Sequence, residues 1–209
     1  MPLQNRVMPD GKIIATAARG TLMGNRGILH NQDQQLVKLF SHKNWVSCQL
    51  DFKGRKRKLM QPGNYTELFF LDEATALAAG HRPCGECQRE RFIDFKSIWI
   101  EANASRCGIS SPAIAQIDTI LHTERIDRSK SKVTYLQKLS ELPNGAFFAH
   151  DGACWLVWQG RCLKWSEKGY TEVAAIPPDQ PLPVLTPKSI VECYRHGLIP
   201  RVHSSTNQL

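Results

Sequence analysis

Apolar positions along this chain change rhythm twice. Near the start, Val7 and Ile13-Ile14 flank Met8-Pro9-Asp10-Gly11, a turn signature, and predict a hairpin. Residues 33–40 are read as a short helix. The run Leu68-Phe69-Phe70-Leu71 suits a buried strand, and Asp72 is placed to cap an Ala-rich helix beginning at Glu73. Gly80 supplies a left-handed stop and Pro83 forbids continuation. Phe92, Phe95, Ile98 and Trp99 then recur at helical spacing and predict a second helix over 86–102. Ile114, Ile117, Ile120 and Leu121 mark a third, with His122 and Glu124 near its end.

Beyond the polar run Arg128-Ser-Lys-Ser-Lys132 the rhythm becomes that of strands. Residues 146–150, 153–158 and 161–165 are separated by Asp151-Gly152 and Gln159-Gly160 and predict a meander of tight hairpins. A two-residue turn at 159–160 pairs Val157 with Cys162. That pairing puts Cys162 on one face with Trp155 and Cys154 on the other, which disfavours a disulfide between the two cysteines. The tryptophans at 155, 158 and 165 are assigned to the core rather than to a stacking platform. Near the end, Thr186 is expected to cap a helix that starts at Pro187 and stops at Gly197.

These elements predict an α+β protein: a small zinc-knuckle-like module with hairpins and helices, followed by a β-meander. The division falls between a mixed region, 1–128, which contains the module at about 42–102, and a region at 133–209 that ends in a short helix.

A chain of 209 residues has enough material for a core without disulfides. The start carries no signal peptide, and nowhere is there an apolar run of membrane-spanning length, so no membrane partner and a cytoplasmic location are expected. Seven cysteines, with only Cys84 and Cys87 closely spaced, argue against a secreted disulfide framework. The net charge of +8 suits a phosphate-bearing partner. Much of it is concentrated at Lys53, Arg55, Lys56, Arg57 and Lys58, five cations in six residues, which as a hairpin tip would lie along a DNA or RNA backbone or simply protect an edge strand. Gly20-Thr-Leu-Met-Gly-Asn-Arg-Gly27 lacks the Lys-Ser/Thr ending of a nucleotide-binding loop. With Arg19 and Arg26 it is either an anion cradle or a structural loop.

The closest approach to metal chemistry is Cys84-Gly-Glu-Cys87 at a predicted helix N-terminus, where the dipole and free amides favour thiolate. A structural zinc wants four ligands in tetrahedral array. Cys48, on the strand before the basic turn, is the third candidate. His42, His81, His122 and Asp51 compete for the fourth place, with His42 favoured because it shares a ribbon with Cys48.

The stretch Phe69-Phe-Leu-Asp-Glu-Ala-Thr-Ala-Leu-Ala-Ala-Gly-His-Arg-Pro-Cys-Gly-Glu-Cys87 resembles part of the zinc-binding module of the Ada methyl-phosphotriester repair family. The resemblance implies that Cys84 and Cys87 are zinc ligands. It departs from the family pattern where Cys48 stands alone upstream, with Phe52 four residues later, and where His81 replaces an aromatic residue; self-methylation is not implied. The whole chain also resembles a group of bacterial proteins of about this length, through Ala18-Arg-Gly-Thr-Leu-Met-Gly-Asn-Arg-Gly27 and Leu185-Thr-Pro-Lys-Ser-Ile190, with no activity attached to that likeness.

Three functional classes follow from these residues. The first is a zinc protein contacting nucleic acid through residues 53–58. The second is a metal-assisted hydrolase or phosphodiester-processing enzyme using the Gly20 to Gly27 segment, and the third is a zinc-stapled protein with a protein partner. No Ser-His-Asp order or His-Glu-x-x-His helix singles out a reaction.

Overall fold

The computed structural model describes residues 1–54 and 58–209. Arg55, Lys56 and Arg57, the middle of the basic run, lie outside the described residues. The fold is α+β, with four helices and two six-stranded sheets among the described residues.

The first sheet gathers β1 (Gln4–Val7), β2 (Ile13–Ala15), β3 (Leu22–Asn25), β4 (Val46–Cys48), β5 (Leu68–Phe70) and β6 (Arg82–Pro83). Helix α1 (Glu73–Ala78) lies between β5 and β6 in sequence. The strand order is β2-β1-β5-β3-β4-β6, with β1 parallel to β5 and β4 parallel to β6. Helices α2 (Arg89–Cys107) and α3 (Ile114–Arg125) follow. The second sheet is antiparallel throughout and is built from β7 (Tyr135–Lys138), β8 (Phe147–His150), β9 (Ala153–Trp158), β10 (Arg161–Ser166), β11 (Gly169–Ala174) and β12 (Pro181–Val184), in the order β11-β10-β9-β8-β12-β7. Helix α4 (Lys188–Arg195) packs on α2 and α3.

The meander forms with the expected register, Val157 opposite Cys162. Trp155 and Trp165 are buried on opposite faces of that sheet, one with Cys162 and the other with Cys154, so alternation alone sorted the core.

Helix α1 is short but central. Asp72 caps it as expected, accepting from the Thr75 amide at 2.8 Å. The same carboxylate accepts from Tyr170 Oη at 2.8 Å and from the His203 amide at 2.9 Å. Next to it, Glu73 takes two bonds from Arg91, at 2.8 and 3.0 Å, and one from the Arg201 amide at 2.9 Å. One helical turn thereby fastens the first sheet to the second sheet, to α2 and to the C-terminal segment. Residues on both sides of 128–132 share core clusters: Leu71, Ala74 and Ala78 pack with Phe147 and Leu163, and Leu77 packs with Ile190.

Two local expectations are corrected. Residues 33–40 are not helical, because Asn31 Oδ1 accepts from the amides of Asp33 and Gln35 and turns the chain on itself. Thr186 does not cap α4, since its hydroxyl accepts from the Phe147 amide at 2.8 Å and Pro187 occupies the cap position.

Candidate metal centre

The register of the first sheet decides what each strand presents. Cys48 lies opposite Met23, and Met23 opposite Phe69. Because side chains alternate, Val46, Asn25 and Glu67 stand on the same face one step of two residues away. The other face carries Ser47, Gly24, Leu68 and Phe70 into the core, where all four are buried. One face of the sheet is thus core, and the other is the floor of a cavity.

Strand β6 brings the Cys84-Cys87 turn beside Cys48. Arg82 N–H donates to the Trp45 carbonyl at 3.1 Å and Cys84 N–H to the Ser47 carbonyl at 2.9 Å. The buried Gln88 side chain donates to that Ser47 carbonyl at 2.8 Å, while its own amide reaches the Cys84 carbonyl at 3.1 Å. The turn is therefore clamped from both ends. Gly80 makes this approach feasible: at φ +84° it reverses the chain after α1, and the His81 amide closes back on the Ala76 carbonyl at 2.8 Å.

The result is a group of three thiols, Cys48, Cys84 and Cys87, with sulfurs all within 4.8 Å of one another. Sulfurs about 2.3 Å from a tetrahedral zinc would be separated by about 3.8 Å, a spacing that falls inside that limit. Their protonation is shared. Cys84 is pushed down to about 5, chiefly because the Cys48 thiol donates to it, with help from the amides of Cys87 and Glu86. Cys48 rises correspondingly, through that hydrogen bond and then burial, and Cys87 rises through burial. A single thiolate held by two thiols and by amides is a site ready to exchange protons for a soft cation.

The cavity beside the sulfurs has a volume of about 570 Å³. Met23, Val46 and Phe69 form its floor, Leu50, Phe52 and Leu59 come from the connection between β4 and β5, and Glu67 also lines it. Glu67 is buried; its Oε2 accepts from the Met60 amide at 2.8 Å, whereas Oε1 has no hydrogen-bond partner among the described residues. Sequence reasoning missed Glu67, Met23 and Phe69 as site residues. Their alternation is visible in the sequence, but the strand pairing that aligns them with Cys48 is not.

The remaining candidate residues fall elsewhere. Among the described residues the metal-competent group comprises the three thiols alone, so His42, His81, His122 and Asp51 are not part of it. His81 is fully buried on the core side, where its Nε2 accepts from Arg26 Nε at 3.0 Å and its ring packs on Trp45 and Phe70. His122 packs on Phe40 and Trp45 near Arg125. His42 accepts through its carbonyl from the Trp45 indole N–H, and its Nδ1 is buried without a partner among the described residues.

The anion cradle is corrected as well. The middle half of the Gly20 to Gly27 segment, Leu22–Asn25, is strand β3 in mid-sheet rather than a loop. A Cβ on Gly24 would lie 2.3 Å from the Phe70 ring, so the glycine answers to core packing. Arg26 is buried, gives two bonds to the Gly11 carbonyl at 3.2 Å and stacks on Trp45 at 4.0 Å. Arg125 stacks on the same indole at 3.9 Å. Trp45 thus receives two guanidinium groups at cation–π distance. Arg19 is exposed and does not converge with Arg26.

Of the basic run, Lys53 and Lys58 are exposed, and Lys53-Gly54 turns with positive φ at both residues. No helix among the described residues is long and apolar enough to cross a membrane. No protein-family model, curated protein or solved structure matches the chain.

Proposed function

We propose that this protein binds zinc through Cys48, Cys84 and Cys87 and uses the site in contact with nucleic acid. The observation that carries the reading is the trio of sulfurs at the edge of a cavity whose wall includes Phe52 and Leu59. Thiolates select soft or borderline cations, and zinc is the redox-inert one that suits three sulfurs plus one further ligand. Phe52 and Leu59 also bracket the run from Lys53 to Lys58, so a polyanion held by those charges passes the mouth of the metal site. An Ada-type zinc module at 69–87 agrees with this reading.

The test has two readings on one preparation. Elemental analysis of protein purified without chelator should give about one zinc per chain, lost in Cys84→Ser. Anisotropy with labelled single-stranded DNA should show salt-dependent binding that flattens when Lys53, Arg55, Lys56, Arg57 and Lys58 become Gln, because fewer counterions are displaced. Metal-free protein with no thermal response to added zinc sinks the first half, and an unchanged salt slope sinks the second.

A second reading is favoured by the position of the cavity. With three thiols as the described ligand group, a fourth coordination position faces open space, as metal-assisted hydrolysis requires. Zinc-dependent cleavage of bis(4-nitrophenyl) phosphate, abolished in Cys84→Ser, is the expected result under this reading; no turnover with full zinc occupancy rejects it.

A further inference from the structure

We infer that the cavity receives an amino-bearing nucleobase, cytosine, adenine or guanine, whose exocyclic amine donates to Glu67. The inference takes its ligand class from the nucleic-acid reading and its location from the cavity alone.

Glu67 is the observation that points to a ligand. It is 3% exposed on a cavity wall whose apolar part includes Met23, Val46 and Phe69 and whose polar part includes Asn25, Gln49, Tyr65 and Glu86. One of its oxygens is committed to the Met60 amide; the other is an acceptor with no donor among the described residues. An unmatched buried acceptor has lost its water without a replacement, and a ligand that supplies an N–H makes good that loss. A ligand that supplies only another acceptor makes it worse.

The surrounding chemistry narrows the donor to one on a flat, mostly apolar body. The floor is one face of a sheet, Met23 and Val46 beside the Phe69 ring, and a planar ring lies on such a surface with little loss of contact. A volume of about 570 Å³ exceeds a base and leaves room for its sugar. Cytosine presents N4–H₂, adenine N6–H₂ and guanine N2–H₂, and acidic side chains are the natural acceptors for the cytosine amine. Thymine and uracil present a carbonyl at the corresponding position, and their one ring donor, N3–H, is flanked by two carbonyl oxygens that would crowd the Glu67 carboxylate. Extracting such a base requires an unpaired strand, so the ligand is single-stranded nucleic acid or the free nucleoside.

The sheet geometry also separates this contact from the metal. Glu67 and Cys48 are two strands and two residues apart, about 12 Å between Cα atoms. A base at Glu67 therefore leaves its sugar and phosphate directed along the cavity instead of placing its amine on the sulfurs. The contact is one of recognition, with no bond made or broken.

The experiment uses the full-length, zinc-loaded protein with labelled short oligodeoxycytidine and oligothymidine, at two salt concentrations, and with cytidine and uridine as competitors. We expect oligodeoxycytidine to bind about tenfold tighter than oligothymidine, and cytidine but not uridine to compete. Glu67→Gln keeps an oxygen for the Met60 amide and turns an NH₂ toward the ligand, so the preference should vanish or reverse. A melting curve confirms that the variant is folded, and the wild-type comparison decides without it. Equal, salt-dependent affinity for both oligonucleotides overturns the base contact while the nucleic-acid reading stands. Cytidine binding through Glu67 without oligonucleotide binding overturns the nucleic-acid reading and upholds the cavity assignment. Binding of neither ligand overturns both.

Discussion

Arg82 and Asp118 face each other in a two-pronged ion pair, Nε to Oδ1 at 2.7 Å and Nη2 to Oδ2 at 2.8 Å, and both are buried. The pair joins β6, one residue before Pro83 and the Cys84 turn, to the middle of α3. Arg82 also donates to the Pro83 carbonyl at 3.1 Å and lies over the Phe92 ring. The cysteine turn is thus held from behind by a charge pair that touches no sulfur.

Removing one partner of that pair should loosen the candidate metal centre without deleting a ligand. Asp118→Ala leaves a buried guanidinium uncompensated, and losses of this kind run to about 3–5 kcal/mol. Urea unfolding should show that loss, and a chelator should strip zinc faster from the variant than from the parent. Unchanged zinc release at equal loss of stability would mean that the pair supports the fold alone.

The three thiols make separable predictions. Serine at Cys84 removes the sulfur that the other two feed with protons, so zinc affinity should fall by orders of magnitude and the melting temperature of the zinc-loaded protein with it. Serine at Cys48 should do the same if the strand ligand counts equally. Retention of full zinc by Cys48→Ser would reduce the centre to the Cys84-Cys87 pair. Cys193, fully buried among α2 and α4 residues, is the control whose replacement should leave zinc content alone.

Gly24→Ala tests why the glycine-rich segment is glycine-rich. Its added methyl would collide with the Phe70 ring, itself fully buried. Overpacking of this sort costs about 1–3 kcal/mol. If the variant is as stable as the parent, as measured by denaturant midpoint, the packing explanation fails and a ligand-facing role for the segment returns.

What the sequence made legible follows the range of each interaction. The Asp72 cap, the Gly80 reversal, the four helices after Asp72 and the meander with its Val157–Cys162 pairing depend on neighbours a few residues apart, and all are read from local pattern. The proximity of Cys48 to the Cys-x-x-Cys turn was also anticipated, since a strand return was expected to bring it there. Arg26 was misplaced because a conspicuous arginine between glycines looks ligand-facing, whereas a stack on Trp45 and a bond to His81 depend on partners 19 and 55 residues away. Glu67 was invisible for the same reason: only the alignment of β5 with β3 and β4 turns an ordinary acid into a cavity wall.

The last prediction concerns pH and rests on the cations crowded behind the first sheet. Lys132 Nζ donates to the Ala78 carbonyl, at the end of α1, at 2.7 Å, and burial pushes the ammonium down to about 7, with Arg26 and Arg125 adding repulsion and Asp10 opposing it. His81 is held well below its usual value by burial and by the same two arginines. For Lys132 the folded value lies below the unfolded value of 10.5. Between about 7 and 10.5 the unfolded chain therefore carries a proton that the folded chain has released, so stability rises with pH across that window, by at most about 1.4 kcal/mol per pH unit from this group. His81 adds a second loss at the acid end: below its unfolded value of 6.5, the unfolded chain protonates first and stability falls as pH drops. Denaturant midpoints measured from pH 5 to about pH 8.5, below the range where the buried thiols held above 9.0 begin to oppose the trend, should therefore climb with pH, and Lys132→Met, which keeps the stem and removes the charge, should flatten the part above pH 7. A variant whose profile runs parallel to that of the parent throughout would show that Lys132 keeps an ordinary ammonium in the fold.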